Sequence, residues 1–400
     1  MWVVVYLSAV LVVVVTQWVY RWRNPKCKGL LPPGSMGFPI IGESIQYFSS
    51  HPLQGIHPFI NKRTLRYGSL FRTSLVGQKV VFSTDPEVNH FIFQQEGKLF
   101  QLWYTESALK LTGKQGLTVH HGAFHRYLKN LILTLVSPEN LKASLLSEMD
   151  HLTRKHLHSW TALPKFDVKE ATETMIFKLV AKKVFSYDEK RAMELRHCYR
   201  AFIDGFISFP LNIPGTAHHA SMRGRKNAIK LIKGTVKERR MMKEKHGDDE
   251  DFLDYLLKEV DDETTFLTEQ IAVDLMFVLL FATYETTSAA ITLALNFLNQ
   301  HPQALRQLQV INETVRLGNI APLILRKGQE LHSASKKFMA FGGGQRLCAG
   351  ADFAKLGMAI LLHYLVTNYR WKVVDEGKIV RTPALLFPNG FQIQLTSLTD

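Results

Sequence analysis

Nineteen positions near the N-terminus, Trp2 to Tyr20, are apolar except for Ser8, Thr16 and Gln17. At a rise of about 1.5 Å per residue, such a run just spans a hydrocarbon core. Trp2, Tyr6, Trp18, Tyr20 and Trp22 are suited to its two interfaces, and Arg21, Arg23, Lys26 and Lys28 follow with no Lys or Arg before. That asymmetry places the rest of the chain on the cytoplasmic side. The rival is a cleaved signal peptide, which calls for a basic start and a small-residue cleavage site that this stretch lacks. The expectation is a transmembrane anchor over residues 1–22.

In "GLLPPGSMGFPIIGE" the Pro32-Pro33-Gly34 run ends any helix and predicts a basic, proline-rich hinge over residues 23–42, before a body over 43–400. "SLFRTSLVGQKVVFSTD" alternates and is rich in Val, Phe and Thr, which predicts two strands about a Gly77-Gln78 turn. After Pro86 the helical period dominates. Arg223 to Lys245 reads as a basic helix, and "GDDEDFLDYLLKE" places acids at a helix start, as the macrodipole favours. Ile271 to Gln300 is apolar almost all round, the mark of a central buried helix or a membrane span. Asp274, Glu285 and the threonines within it argue against a span. "TPALLFPNGFQIQL" predicts a closing hairpin with Pro388-Asn389-Gly390 as its turn. The fold class is mainly α with a minor antiparallel β part.

Composition changes this picture little. The 400 residues are 46% hydrophobic and 21% charged, as in ordinary globular proteins. The net charge of +14 favours an anionic lipid surface or an acidic protein, or is a solvated basic face. No paired Cys/His spacing or aromatic strand motif points to nucleic acid. Three scattered cysteines, Cys27, Cys198 and Cys348, form neither a disulfide framework nor a zinc pattern, and fit a reducing compartment. His120-His121 and His218-His219 read as surface pairs.

The candidate chemistry lies in "FMAFGGGQRLCAG", Phe338 to Gly350. Its consecutive glycines do not match a dinucleotide loop, and the lysine of a P-loop is missing. As a metal-ligand loop it makes sense. Glycines let backbone approach a flat ligand closely. A sulfur at the start of the helix that follows meets free N–H groups and a positive dipole, which favour the thiolate. Arg346 adds a cation for an anionic group on that ligand. Thiolate, planar ligand and cation together suit haem.

Phe341-x-x-Gly344-x-Arg346-x-Cys348-x-Gly350 resembles the haem-binding signature of the cytochromes P450. The resemblance implies that fold, haem b with Cys348 as axial thiolate, Arg346 on a haem propionate, Phe341 shielding the sulfur, and Gly344 and Gly350 keeping the loop tight. "ATYETT", Ala282 to Thr287, resembles the family's oxygen-activating segment, with Thr283 where many members have glycine. There Ala282 and Thr286 share a face, and Glu285 with Thr286 would guide protons toward dioxygen. "ETVR" matches the structural Glu-x-x-Arg pair as Glu313 and Arg316. In "GAFHRYLKN", His125 and Lys129 stand where many members place Trp and Arg against the propionates. The hinge, "FPLNIPGTAHHA" and "FPNGF" look most like the plant clan that oxidises sterols, brassinosteroids and triterpenoids. By that analogy substrate contacts come from Phe100 to Leu117, Phe209 to Pro214, Ile320 to Leu323 and Phe387 to Phe391. The implied protein is a monomeric, single-pass monooxygenase of the endoplasmic reticulum with a cytosolic catalytic body. It would take electrons from an NADPH–cytochrome P450 reductase and a small hydrophobic substrate, with no nucleic acid partner.

Two spacings depart from the family. Twenty-six residues separate Thr286 from Glu313, where two further helices belong, and thirty-one separate Arg316 from Cys348, where strands, a meander and a Pro/Arg motif belong. Segments are missing between the central helix and the haem loop. Two rival readings follow: an inactive, truncated member of the family, or a membrane-anchored binding protein for hydrophobic ligands in which Cys348 is structural.

Overall fold

The computed structural model describes residues 2–24, 29–53, 56–113, 115–206, 208, 210–242, 250–301, 314, 326–328, 339–382 and 384–398. They fall into two compact units, one built from the first 91 residues with Ile379–Leu386, the other from Ile92 onward without that segment.

In the first unit, Trp2–Arg23 is one helix of 22 residues with no buried side chain and a mean hydropathy of 2.2 over its most apolar window. It is about 33 Å long, enough to cross a bilayer core. Arg21 and Arg23 occupy its last turn, where the macrodipole favours cations. The predicted strand pair forms as Leu70–Leu75 against Gln78–Ser83, antiparallel in a continuous register. The turn is Val76-Gly77, one residue before the predicted position, because φ is positive at both (+49° and +75°), as a two-residue hairpin turn with the right twist requires. Beneath it pack Tyr47, Phe59, Phe71 and Phe82, with the Phe71 and Phe82 rings stacked at 5.2 Å.

The second unit is helical. Glu269–Gln300 runs through it, and 72% of its most apolar stretch is buried, so its all-round hydrophobicity marks a core helix. Thr268 caps it by accepting a bond from the Ile271 N–H at 3.3 Å. It packs against Val168–Phe185, Ala217–Met241, Phe252–Asp261 and Ala351–Asn368. The predicted acidic start is a full capping box, Asp251 with Asp254. The basic helix begins earlier than predicted, at Ala217, because Thr216 accepts from the His219 N–H and sets the first turn. His218 is 5% exposed in that first turn, so this pair is not a surface pair.

The predicted closing hairpin is not formed. The Pro388-Asn389-Gly390 turn is present, with the Gly390 N–H bonded to the Phe387 carbonyl at 3.0 Å. Its flanking strands enter different sheets: Ala384–Leu386 pairs with Val380–Thr382, whereas Gln392–Ser397 lies between Phe166–Asp167 and Tyr369–Asp375. A tight turn sets direction, but which strand pairs with which is decided by non-local burial.

Candidate functional site

The cysteine loop is held by its own backbone. The Gly342 N–H bonds to the Met339 carbonyl at 2.9 Å, Leu347 to Gly344 at 3.2 Å and Cys348 to Phe341 at 3.0 Å. Gly342 and Gly344 have φ of +77° and +65°. The loop lies on Phe93. A Cβ at Gly343 would meet that ring at 2.8 Å, and one at Gly344 would run into the Phe93 carbonyl. Gly350 caps the helix Ala351–Asn368, and a Cβ there would stand 4.0 Å from the cysteine sulfur.

Cys348 is exposed. The protein packed behind it still desolvates the sulfur and pushes the thiol up, against the Gly350 N–H and the Lys129 charge. On the free thiol, burial and the helix-end N–H act in opposite directions, and burial is the larger. Coordination to a cation reverses that balance, since a ligating thiol is deprotonated. Among the described residues no three His, Cys, Asp or Glu side chains are placed to hold a metal ion.

Basic groups gather on this loop. Lys129 donates to the Gln345 carbonyl at 3.1 Å, and burial lowers its pKa while Cys348 and Glu96 oppose that shift. His125, one turn earlier on the helix Gly122–Val136, is buried. Arg346 forms an ion pair with Glu96 and donates to the His120 carbonyl at 2.6 Å and to His121 Nδ1 at 3.0 Å. His121 is thus a partner of Arg346 rather than a surface residue. Nothing in the sequence marked Glu96 or Phe93. Phe341 is half-buried under the Lys355 ammonium, 5.3 Å from the ring centroid.

On the central helix, Ala282 and Thr286 are exposed while most of their neighbours are buried, and Thr286 Oγ1 donates to the Ala282 carbonyl at 2.7 Å. Thr283 is buried and bonded to the Leu279 and Leu280 carbonyls at 2.8 and 2.9 Å. Glu285 does not join the open face. It pairs with Lys169 at 3.0 Å within a network that continues through Glu173, Arg196 and Glu170. Burial pushes the Glu285 carboxyl up, with Lys169 opposing. Glu313 and Arg316 lie outside the described residues, as do Phe209 and Ile320 to Leu323. Within the substrate segments, Leu211 and Ile213 are exposed and Phe391 is buried.

The helix after the cysteine loop packs on the buried face of the central helix at Thr287: a Cβ at Gly357 would lie 3.9 Å from Thr287 Cγ2. Two packed helices thus carry the accessible features, a lone thiol at the head of one and a small-residue face on the other. The donor set fits an iron porphyrin, with thiol, small open face and basic rim all present.

The family model described as Cytochrome P450 matches residues 32–319 and 325–394. The chain belongs to the cytochrome P450 family. The rice (Oryza sativa subsp. japonica) Cytochrome P450 87A3 is 42% identical over 95% of this chain and 88% of its own length. Beta-amyrin 16-alpha-hydroxylase CYP87D16 of Maesa lanceolata is 36% identical over 99% of each chain. The solved structure titled "Retinoic acid bound cyanobacterial CYP120A1" superposes with a TM-score of 0.79, covering 92% of this chain and 99% of that one, at 23% identity, a likeness of fold. The family carries a haem-thiolate iron cofactor. This P450 is shortened: the alignment to the Maesa protein runs over 474 positions against 400 residues here.

Proposed function

We propose that this P450 is a membrane-anchored monooxygenase of the endoplasmic reticulum that hydroxylates a sterol-, steroid- or triterpenoid-like substrate. In balance, one C–H bond, one O2, two electrons and two protons yield one alcohol and one water. The electrons come from NADPH through a flavin reductase, toward which the basic surface steers in a salt-dependent way. Residues 1–22 are the anchor, 23–42 the hinge and 43–400 the haem domain, acting as a monomer. The observation that carries the reading is the exposed Cys348 thiol on a backbone-knitted glycine loop, beside a core helix that opens only small side chains around Thr286. The Maesa relative supports the substrate class by its name.

Cys348 would hold the iron, with Phe341 shielding the sulfur, Gly344 and Gly350 keeping the loop tight, and His125, Lys129 and Arg346 around the anionic edge. Bound there, haem supplies the oxygen-activating, bond-breaking chemistry, tuned by the thiolate. Thr286 presents a hydroxyl that passes a proton along the open face. Ala282 leaves room beside it. Glu285, one residue away, is paired with Lys169, with burial pushing its carboxyl up against that charge, and would feed protons to that step. Apolar segments around Phe100 to Leu117 and Phe387 to Phe391 would position the substrate and exclude water.

The test is a spectrum of the purified chain, reduced and exposed to carbon monoxide, for the parent and for Cys348→Ser. A thiolate-type Soret band that disappears in the variant supports the proposal. A second reading, a non-catalytic shortened member, is favoured by the extra alignment positions of the relatives. It predicts no haem or a histidine-type band in both proteins, which would sink the first.

A further inference from the structure

In the first unit, Tyr47 and His57 are almost wholly buried, 2% and 7% exposed, yet the Tyr47 hydroxyl and His57 Nε2 have no hydrogen-bond partner among the described residues. A buried polar atom costs free energy unless something bonds it. The other ring nitrogen of His57 fixes its tautomer. Nδ1 accepts from the Phe59 N–H at 3.1 Å, at the start of the helix Pro58–Tyr67, so in the neutral ring Nε2 carries the proton. Burial holds the His57 pKa below its ordinary value, helped by His51 and Arg381; the Tyr47 carbonyl opposes, outside hydrogen-bond geometry with Nε2. Burial also pushes the Tyr47 phenol up, against Arg381. Each group therefore keeps a proton to donate.

The two donors belong to one basic cluster. Their rings stack, with centroids 5.3 Å apart and planes 27° from parallel. The His51 ring stands edge-on to His57 at 5.3 Å. His51 lies opposite Arg381 where the strand His51–Pro52 pairs with Val380–Thr382, and Arg381 is 4% exposed. Among the described residues, the side chains whose charge acts on Tyr47 and His57 are Arg381 and His51, with no carboxylate. The surroundings have the same sign. The first 91 residues with Ile379–Leu386 hold ten Lys and Arg against three Asp and Glu. Those three acids are placed elsewhere: Glu43 is bonded to Arg63, Asp85 caps the helix that begins at Pro86, and Glu87 is exposed in its first turn.

We infer that Tyr47 and His57, in the field of Arg381, form a binding site for a small carboxylate anion of formate or acetate size. The site offers a phenol O–H and an imidazole N–H and lacks an acceptor for either. A carboxylate is acceptor-only, with two oxygens that take several donors at once, and bonds to an ionised partner are the stronger kind. Its negative charge suits the guanidinium beside the two donors. Burial limits its size, because a longer chain has no exposed route out of a site whose donors are more than nine-tenths covered. Bound there, the anion would join the helix Ser44–Tyr47, the head of the helix Pro58–Tyr67 and the strand Val380–Thr382. This site lies within the first unit and does not depend on the haem reading.

The test follows amide hydrogen exchange by mass spectrometry in the full chain, held in detergent micelles. Peptides covering Tyr47 to Phe59 and Ile379 to Leu386 are compared in sodium formate and, at equal ionic strength, in sodium gluconate, whose carboxylate is carried on a bulky chain. The expected result is exchange about threefold or more slower in formate, since a ligand that binds only the closed form suppresses local opening. Tyr47→Phe removes one oxygen and should lose most of that slowing. In gluconate it should exchange no faster than the parent, because the atom removed had no partner to lose. Equal exchange of the parent in the two salts overturns the inference. So does formate slowing that Tyr47→Phe keeps in full, which places the anion elsewhere. Faster exchange of Tyr47→Phe in gluconate overturns it too, by showing that the hydroxyl is already bonded without the anion.

Discussion

Arg346 and Glu96 lie 250 residues apart in sequence and form an ion pair whose side chains are 9% and 4% exposed. Through His120 and His121 the same guanidinium ties down the chain that leads into the helix of His125 and Lys129. Arg346 is therefore a structural staple of the cysteine loop as well as a cation beside it.

Arg346→Ala leaves the Glu96 carboxylate buried without its guanidinium, and should cost about 3–5 kcal/mol. Arg346→Lys keeps the charge but loses the forked contacts, and should recover less than half of that. Thermal unfolding, with haem content measured on the same samples, checks both; equal midpoints for parent and alanine variant would contradict the staple.

Gly344→Ala forces a Cβ into the Phe93 carbonyl at a φ of +65°. The backbone must shift, at a cost of more than about 1 kcal/mol, and the holoprotein fraction should drop. Gly343→Ala is the control. Its backbone is extended and its Cβ meets only the movable Phe93 ring. The prediction is a clear ordering of haem retention, parent above Gly343→Ala above Gly344→Ala.

Thr286 is exposed and bonds only within its own helix among the described residues. Thr286→Ala should leave the unfolding midpoint within about 0.5 kcal/mol of the parent. If its hydroxyl carries a proton, product formed per NADPH consumed should fall by roughly tenfold or more, and Thr286→Ser should restore it. Unchanged coupling in Thr286→Ala would remove the proposed role.

Glu43 in the first unit accepts from Arg63 at 2.5 and 2.8 Å and from Thr73 at 2.6 Å. Burial pushes its carboxyl up, but those bonds and the Arg63 charge outweigh it and hold the carboxyl below its ordinary 4.5. A lowered folded-state pKa means stabilisation that is complete above about 4.5 and is lost as pH falls through the folded value. Glu43→Gln should weaken the unit by about 1–3 kcal/mol at pH 7. It should also flatten the loss of stability between pH 5 and pH 3. Parallel acid limbs in parent and variant would refute this.

Elements whose stabilisation is local were legible before the structure. The Trp2–Arg23 helix, the 70–83 strand pair, the Asp251 capping box and the Cys348 loop each follow from residues a few positions apart. The Pro388-Asn389-Gly390 turn was legible too, but the pairing of its flanking strands was not. Adjacent residues on the central helix make the same point, for the periodicity marks a core helix without saying that Thr286 opens outward while Glu285 turns to Lys169.

The sequence by itself determined the family, the apolar N-terminal helix, the shortened middle and the thiol that marks the candidate haem site, because each is written in runs and spacings of a few residues. Tertiary structure alone decided that Arg346 meets Glu96, that Phe93 underlies the glycines and that burial raises the Cys348 thiol. Those outcomes depend on which distant segments exclude water from one another, and short-range pattern carries no record of that.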